Sequence, residues 1–227
     1  MNSQSPRTAA SQCAWGSLLS NYHLKQNDSY EILVTSLMKM HLHAGHDDVS
    51  ELPRSQHKIE HVPDVFPKGV EWDGVLYAEP KKHLYLIEAK SSVENSHIAG
   101  MQARMKRTAE FIDLCATGSL PVGKVTTQQR QLCAAWATYS GRTEIFGVVG
   151  APGFTEIMHV TAEAQGIITV YPKGGWYAIQ PPKQLWSCVN SENPGAQQPS
   201  AETFKVTKEQ LDEAQELEFK REHVVVE

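Results

Sequence analysis

Two apolar segments, Val70 to Ala78 and His83 to Lys90, flank the turn Glu79-Pro80-Lys81-Lys82. Strand-like runs on either side of a short polar turn read as a β-hairpin. Each run carries acidic residues at the end far from the turn: Glu71-Trp72-Asp73-Gly74 on the first, Glu88-Ala89-Lys90 on the second. Side chains alternate faces along a strand, so Glu71 and Asp73 share a face, as do Glu88 and Lys90. Pairing centred between Pro80 and Lys81 sets Asp73 opposite Glu88 and Glu71 opposite Lys90. Like charges directly opposite on neighbouring strands are destabilising. A divalent cation removes that conflict. Mg²⁺ takes hard oxygen ligands and keeps several waters, so Asp73, Glu88 and the Ala89 carbonyl form a sufficient ligand set. Lys90 projects beside such an ion, where an ammonium orients a water or offsets charge on a pentacovalent phosphorus. Glu71 is read as a support that holds Lys90 by an ion pair across the hairpin.

The rest of the chain alternates helical and strand patterns, which predicts an α/β fold with a mixed central sheet flanked by helices. Asp28 and Ser29 are N-cap candidates for an apolar-rich helix from Tyr30 to His43. Residues 44–68, with histidines and three prolines, read as a long surface loop. After the hairpin come a helix from His97 to Cys115 capped by Ser96 and a helix from Thr127 to Tyr139 closed by Gly141. A strand from Glu144 to Val149, a helix from Phe154 to Gln165 and strands at Ile167 to Tyr171 and Trp176 to Ile179 follow. Residues 1–27 read as a lead-in, 28–180 as the domain and 181–200 as a linker. Residues 201–227 read as an acidic terminal helix, with Thr207 and Gln210 as its capping box.

Asp73, fourteen intervening residues and then Glu88-Ala89-Lys90 resemble the motif of the PD-(D/E)xK nuclease superfamily, the restriction-endonuclease-like fold. That family sets the acid on one strand and the ExK on its neighbour, and a preceding helix often adds a glutamate. Glu31 holds the matching place, on a helical stripe with Val34, Thr35 and Met38. The resemblance covers residues 28–180, and departs from the pattern at Trp72, where the motif has proline. The EWDG and LYLIEAK wording is also similar to nuclease-like domains of Crinkler-type effectors and mobile-element proteins. The resemblance implies a Mg²⁺-dependent hydrolase, with Mn²⁺ able to substitute, that cleaves phosphodiester bonds in nucleic acid, DNA favoured. Glu31, Asp73, Glu88 and Lys90 would be its catalytic residues. Gln102 would orient water or touch phosphate, and Arg104 and Lys106 would bind backbone phosphates. A homodimer is admitted. The competing readings are a solvated Glu–Lys hairpin, a nuclease fold kept as an inactive binding or assembly module, and an effector acting through a protein partner.

Other patterns carry less. Lys81, Lys82 and Lys173 read as solvated. His41, His43 and His46, and the pair His57 and His61, lack a fixed scaffold for a metal. Gly147, Gly150 and Gly153 form GxxGxxG, not the dinucleotide fingerprint, and read as tight strand-to-helix turning. Cys13, Cys115, Cys133 and Cys188 form no CxxC pair and read as free thiols of a reducing, intracellular compartment, nucleus and cytoplasm being undistinguished.

Net charge is −5, which argues against polyanion binding through bulk charge. Residues 201–227 carry eight acidic and four basic residues, so that segment holds −4 of the total. The remainder is nearly neutral and compatible with a phosphate substrate. The acidic segment is expected to cover the basic helix. No apolar run approaches the ~20 residues of a membrane span, and the polar first residues do not suggest a secretory signal.

Overall fold

A computed structural model describes residues 26–44, 48–61, 69–90, 92–119, 126–142, 144–173, 176–182 and 202–204. Helix α1 spans Gln26–Ala44, followed by strands β1 (Val49–Glu51), β2 (Lys58–Ile59), β3 (Val70–Glu71), β4 (Gly74–Ala78) and β5 (His83–Ala89). Helices α2 (Asn95–Ala99), α3 (Met101–Ala116) and α4 (Thr127–Ala137) lead to β6 (Glu144–Gly150). Helix α5 (Glu156–Ala164) and strands β7 (Ile168–Lys173), β8 (Trp176–Gln180) and β9 (Glu202–Phe204) complete the order. Seven strands form one mixed sheet in the order β1-β4-β5-β6-β7-β8-β9, and β2 and β3 make a separate pair. The β5–β6 and β6–β7 pairs are parallel, and the other neighbours are antiparallel.

The hairpin register follows the expected one. Gly74 pairs with Ile87 and Ala78 with His83. Strand β5 lies inside the sheet between β4 and β6, and its residues from Leu84 to Ala89 are buried on both faces. Its odd positions Tyr85, Ile87 and Ala89 meet Val34, Leu37 and Met38 of α1. Its even positions Leu84 and Leu86 meet Ile98, Met101, Phe111 and Trp136 from the helices of the other face. Two glycines let α1 lie close to the sheet. A Cβ at Gly150 would stand 2.2 Å from Val34 Cγ2, and one at Gly74 would stand 2.4 Å from Thr35 Oγ1. Gly147 is likewise overlain by Met101 and Met105. Gly147 and Gly150 therefore serve helix packing and not the expected turn.

Other expectations are corrected. Helix α1 begins at Gln26, so Asp28 and Ser29 lie within its first turn and do not cap it. The predicted loop 44–68 holds β1, a 3-10 turn at Arg54–Gln56 and β2. These elements are too short for a hydrophobic period to reveal. The run Val70 to Ala78 is not one strand. Trp72 turns inward, donating its backbone N–H to the His57 carbonyl at 3.3 Å, and Asp73 then donates to Ile87 O at 2.9 Å. The chain thus changes partner at Trp72–Asp73, because burying the indole outweighs continuing one ladder. Glu71 consequently pairs with Lys58, not with Lys90.

The helix after β5 is split at Gly100, and Glu94, not Ser96, is the N-cap of its first part. Helix α4 closes at Thr138, and Gly141 is not among the positive-φ glycines Gly118 and Gly166. Helix α5 starts at Glu156 because Thr155 Oγ1 accepts from Met158 N. Cys115 and Cys133 form a disulfide with Cα atoms 5.1 Å apart, joining α3 to α4, so the reading of free thiols fails for this pair. Helix packing brings them together, which sequence spacing does not show. Residues 202–204 add edge strand β9, so the segment read as an acidic tail contributes to the sheet. The lead-in through residue 25, most of the linker, the capping box Thr207/Gln210 with its helix, and Cys13 and Cys188 lie outside the described residues. No helix among the described residues is long and apolar enough to cross a membrane.

Candidate functional site

At the carboxyl end of β5, adjoining parallel strand β6, the sheet stops being apolar. Ligand sites in open α/β sheets gather at such strand ends. Glu88 continues the even positions of β5 and faces α3, with only 4% of its surface exposed. Asp73 stands one step past Gly74–Ile87, the last pair of the β4–β5 register, and donates its backbone N–H to Ile87 O. Its Oδ2 accepts the Ala89 backbone N–H at 2.7 Å, which fixes the carboxylate against β5. Lys90 Nζ lies 2.9 Å from Glu88 Oε1 and 3.6 Å from Asp73 Oδ2. The structure therefore brings three of the four expected residues into one cluster.

Arg104 joins that cluster. Its guanidinium forms an ion pair with Glu88 Oε2, and its Cζ lies 4.4 Å from the Trp72 ring centroid, within cation–π range. Trp72 is anchored from below: its indole N–H donates to Thr108 Oγ1 at 3.0 Å, and that hydroxyl donates to the Arg104 carbonyl at 3.1 Å. Arg104 Nε is buried without a hydrogen-bond partner. Trp72 was legible only as a departure at the motif's first position. Its role as a platform for Arg104 depends on α3 crossing the sheet, which no local signal announces.

The remaining residues lie elsewhere. Glu31, on the opposite face of the sheet, forms an ion pair with Arg54. It shares a cleft with Asp73 but makes no ion pair with Lys90 or Arg104 among the described contacts. Gln102 donates to the Gln165 carbonyl at 2.9 Å. With exposed Lys106, it borders a hollow that also includes Met105, Ala109 and Ile145. Residues two apart on a helix point to different sides, so Arg104 faces the cluster while Gln102 and Lys106 do not. Exposed Glu71 belongs to the β2–β3 pair.

The electrostatics separate the two acids. Burial and the nearby Glu88 charge raise the Asp73 pKa, against the Ala89 N–H and the cations. Burial also works to raise Glu88, but Arg104 and Lys90 outweigh it and hold its pKa below the ordinary value. For Lys90, burial works downward, while Glu88 and Asp73 prevail and raise its pKa. Lys90 is thus a protonated donor at neutral pH and not a general base.

A cation suits this donor set. Asp73 is a partly buried carboxylate whose charge is disfavoured by a neighbouring carboxylate, and Asp73 and Glu88 supply hard oxygens. No group of three or more His, Cys, Asp or Glu residues positioned to hold a metal occurs among the described residues. An ion held here would keep much of its water.

Buried His57 sits nearby and predicts a pH effect. Its Nε2–H donates to the Leu52 carbonyl at 2.7 Å. Burial lowers its pKa, with Glu51 and Asp73 opposing. A depressed histidine binds fewer protons folded than unfolded. Its stabilising contribution is therefore present above the unfolded value and is lost as pH falls from about 6.5 through the folded pKa. Thermal unfolding between pH 7.5 and 5.5 should show this loss, and His57→Gln should flatten that slope.

The fold and cluster define an α/β protein with a charged centre at the end of a buried strand. Comparison with protein-family models, curated proteins and solved structures returns no match to this chain.

Proposed function

We propose that the chain is a Mg²⁺-dependent phosphodiesterase acting on nucleic acid, DNA favoured, with the restriction-endonuclease-like fold. The observation that carries the proposal is the convergence of Asp73, Glu88 and Lys90 at one strand end, with Lys90 reaching both carboxylates. Asp73 and Glu88, with the Ala89 carbonyl, would hold Mg²⁺. Bound there, the ion would supply Lewis acidity toward a phosphate oxygen and acidify a water. Lys90, charged and half-buried, donates to the attacking water or to a phosphoryl oxygen. Arg104 holds the Glu88 carboxylate, and Trp72 keeps the guanidinium in place. In hydrolysis the water oxygen bonds to phosphorus, the bond to one sugar oxygen breaks, the water's proton passes to solvent, and the leaving sugar oxygen takes a proton from solvent. Glu31 would join only after leaving Arg54, on the same reading. A homodimer belongs to this proposal, as does an intracellular location, which the Cys115–Cys133 disulfide counts against.

One observation favours a second reading, an inactive binding module. Glu88 is already paired on both oxygens, by Lys90 and by Arg104. Calorimetric titration with Mg²⁺ and Mn²⁺ separates the two. The phosphodiesterase reading requires a site that Asp73→Asn removes, and absence of any such site supports the module. The same variant should be more heat-stable in EDTA. Asparagine keeps the acceptor for Ala89 N–H and removes a charge that burial and Glu88 disfavour. The expected rise is about 2–4 °C, the response to roughly 1 kcal/mol in a chain of this size. Scanning calorimetry checks it.

A further inference from the structure

Arg104, Thr108, Phe111 and Cys115 recur at helical spacing along α3 and so form one stripe of its surface. Cys115 at the end of that stripe is bonded to Cys133 of α4. Cys133 and Trp136 lie one turn apart and share a face of α4. Trp136 is fully buried, and its indole N–H donates to the Gln56 carbonyl at 3.0 Å. The next residue, His57, accepts the Trp72 backbone N–H at its carbonyl. The Trp72 indole donates in turn to Thr108 Oγ1, which brings the path back to α3. These contacts close a ring from Trp72 through α3, the disulfide, α4 and the Arg54–Gln56 turn to Trp72 again. Each link between elements in that ring is a single hydrogen bond except the disulfide. Trp72 underlies Arg104, and Arg104 pairs with Glu88, so the ring ends at the charged cluster.

We propose that the Cys115–Cys133 bond is a redox switch for the cluster of Asp73, Glu88 and Lys90: oxidised, it holds Trp72 and Arg104 in place, and reduced, it releases them. The proposal rests on the phosphodiesterase reading for the activity that is switched and adds its regulation. A dithiol reductant opens the bond. Its first thiolate bonds to the sulfur of Cys115, the less buried partner; the S–S bond breaks, and Cys133 leaves as a thiolate and takes a proton from solvent. The reductant's second thiol, its proton lost to solvent, attacks the mixed disulfide. Cys115 is released and protonated, the reductant closes its own disulfide, and two electrons have passed to the protein. The cross-link spans a sequence separation of 18, and losing it returns conformational freedom that favours local opening of α4. Trp136 then leaves Gln56, and the turn no longer fixes His57 against Trp72. A reducing compartment thus keeps cleavage low, and an oxidising one raises it.

The test compares the full chain before and after dithiothreitol, in EDTA for its structure and with Mg²⁺ for cleavage. Peptide mapping of the unreduced protein should recover Cys115 linked to Cys133. Reduction should lower the thermal midpoint by about 6–12 °C, the usual effect of losing a cross-link of this span in a chain of this size. Amide hydrogen exchange should quicken about tenfold or more in α4 and at the Trp72 N–H together, because the ring passes through both. Cleavage should fall about tenfold or more, as misplacement of a positioning group dictates, and return on reoxidation. Cys115→Ser should match reduced wild type and ignore dithiothreitol, which separates this bond from the thiols of Cys13 and Cys188. Four results overturn the switch: unlinked Cys115 and Cys133 in the unreduced chain, faster exchange in α4 with the Trp72 N–H still protected, cleavage unchanged by reduction, or a dithiothreitol response that survives in Cys115→Ser. No cleavage in either state, with the Trp72 N–H still following the bond, overturns the phosphodiesterase reading and leaves the switch standing.

Discussion

Lys90→Ala should lower Mg²⁺-dependent cleavage by about 10²–10³-fold, the usual cost of deleting one positioned donor that faces developing negative charge. The fold should survive. Lys90 is about one-third exposed at its side chain and follows β5, so no core packing is lost with it. Glu88 retains Arg104 as partner. Because the raised Lys90 pKa keeps the ammonium charged through neutral pH, its titration should not shape the rate profile between pH 6 and 9. Lys90→Arg should recover part of the rate, since it restores charge but not shape. Initial rates with matched thermal midpoints make the measurement. A Lys90→Ala enzyme as fast as wild type would remove Lys90 from the chemistry.

Trp72→Ala should cost about 3–5 kcal/mol, the range for removing a large buried aromatic. Trp72 is 1% exposed, and its indole N–H is satisfied by Thr108. Truncation leaves a cavity and a hydroxyl without that donor. It also removes the surface under Arg104, so the guanidinium loses its fixed position beside Glu88. Activity should therefore fall further than stability alone explains at temperatures where the variant is folded. Trp72→Phe keeps the ring and loses the N–H, and should cost much less. Urea unfolding of the three proteins gives the ranking, and a loss under 1 kcal/mol for Trp72→Ala would contradict the anchoring role.

The hairpin and its register were legible because both depend on neighbours in sequence. Alternation and one turn suffice to pair Gly74 with Ile87 and so to bring Asp73, Glu88 and Lys90 to one strand end. The β5 run was readable as interior because Leu84 to Ile87 have no polar side, and the helix–strand alternation was enough for an α/β sheet. What failed depended on distant packing. Lys58–Ile59 is two residues long and gains its partner only through Val70–Glu71, so residues 44–68 resembled loop. Arg104 looked like a solvated phosphate contact, yet the angle at which α3 crosses the sheet carries it over Trp72 and onto Glu88. The same crossing turns Gln102 and Lys106 away. Thr35 on α1 and the turn that carries Arg54 and His57 are distant in sequence, and only folding brings them to the cleft beside Asp73.

The most direct measurement is cleavage of circular single-stranded DNA and supercoiled plasmid by the purified full chain with Mg²⁺, with Mn²⁺ and with EDTA, alongside Asp73→Asn. Metal-dependent cleavage by wild type, absent in EDTA and lost in a folded Asp73→Asn variant, is the predicted result. No cleavage with either metal, or cleavage that Asp73→Asn leaves unchanged, would contradict a phosphodiesterase centred on Asp73, Glu88 and Lys90.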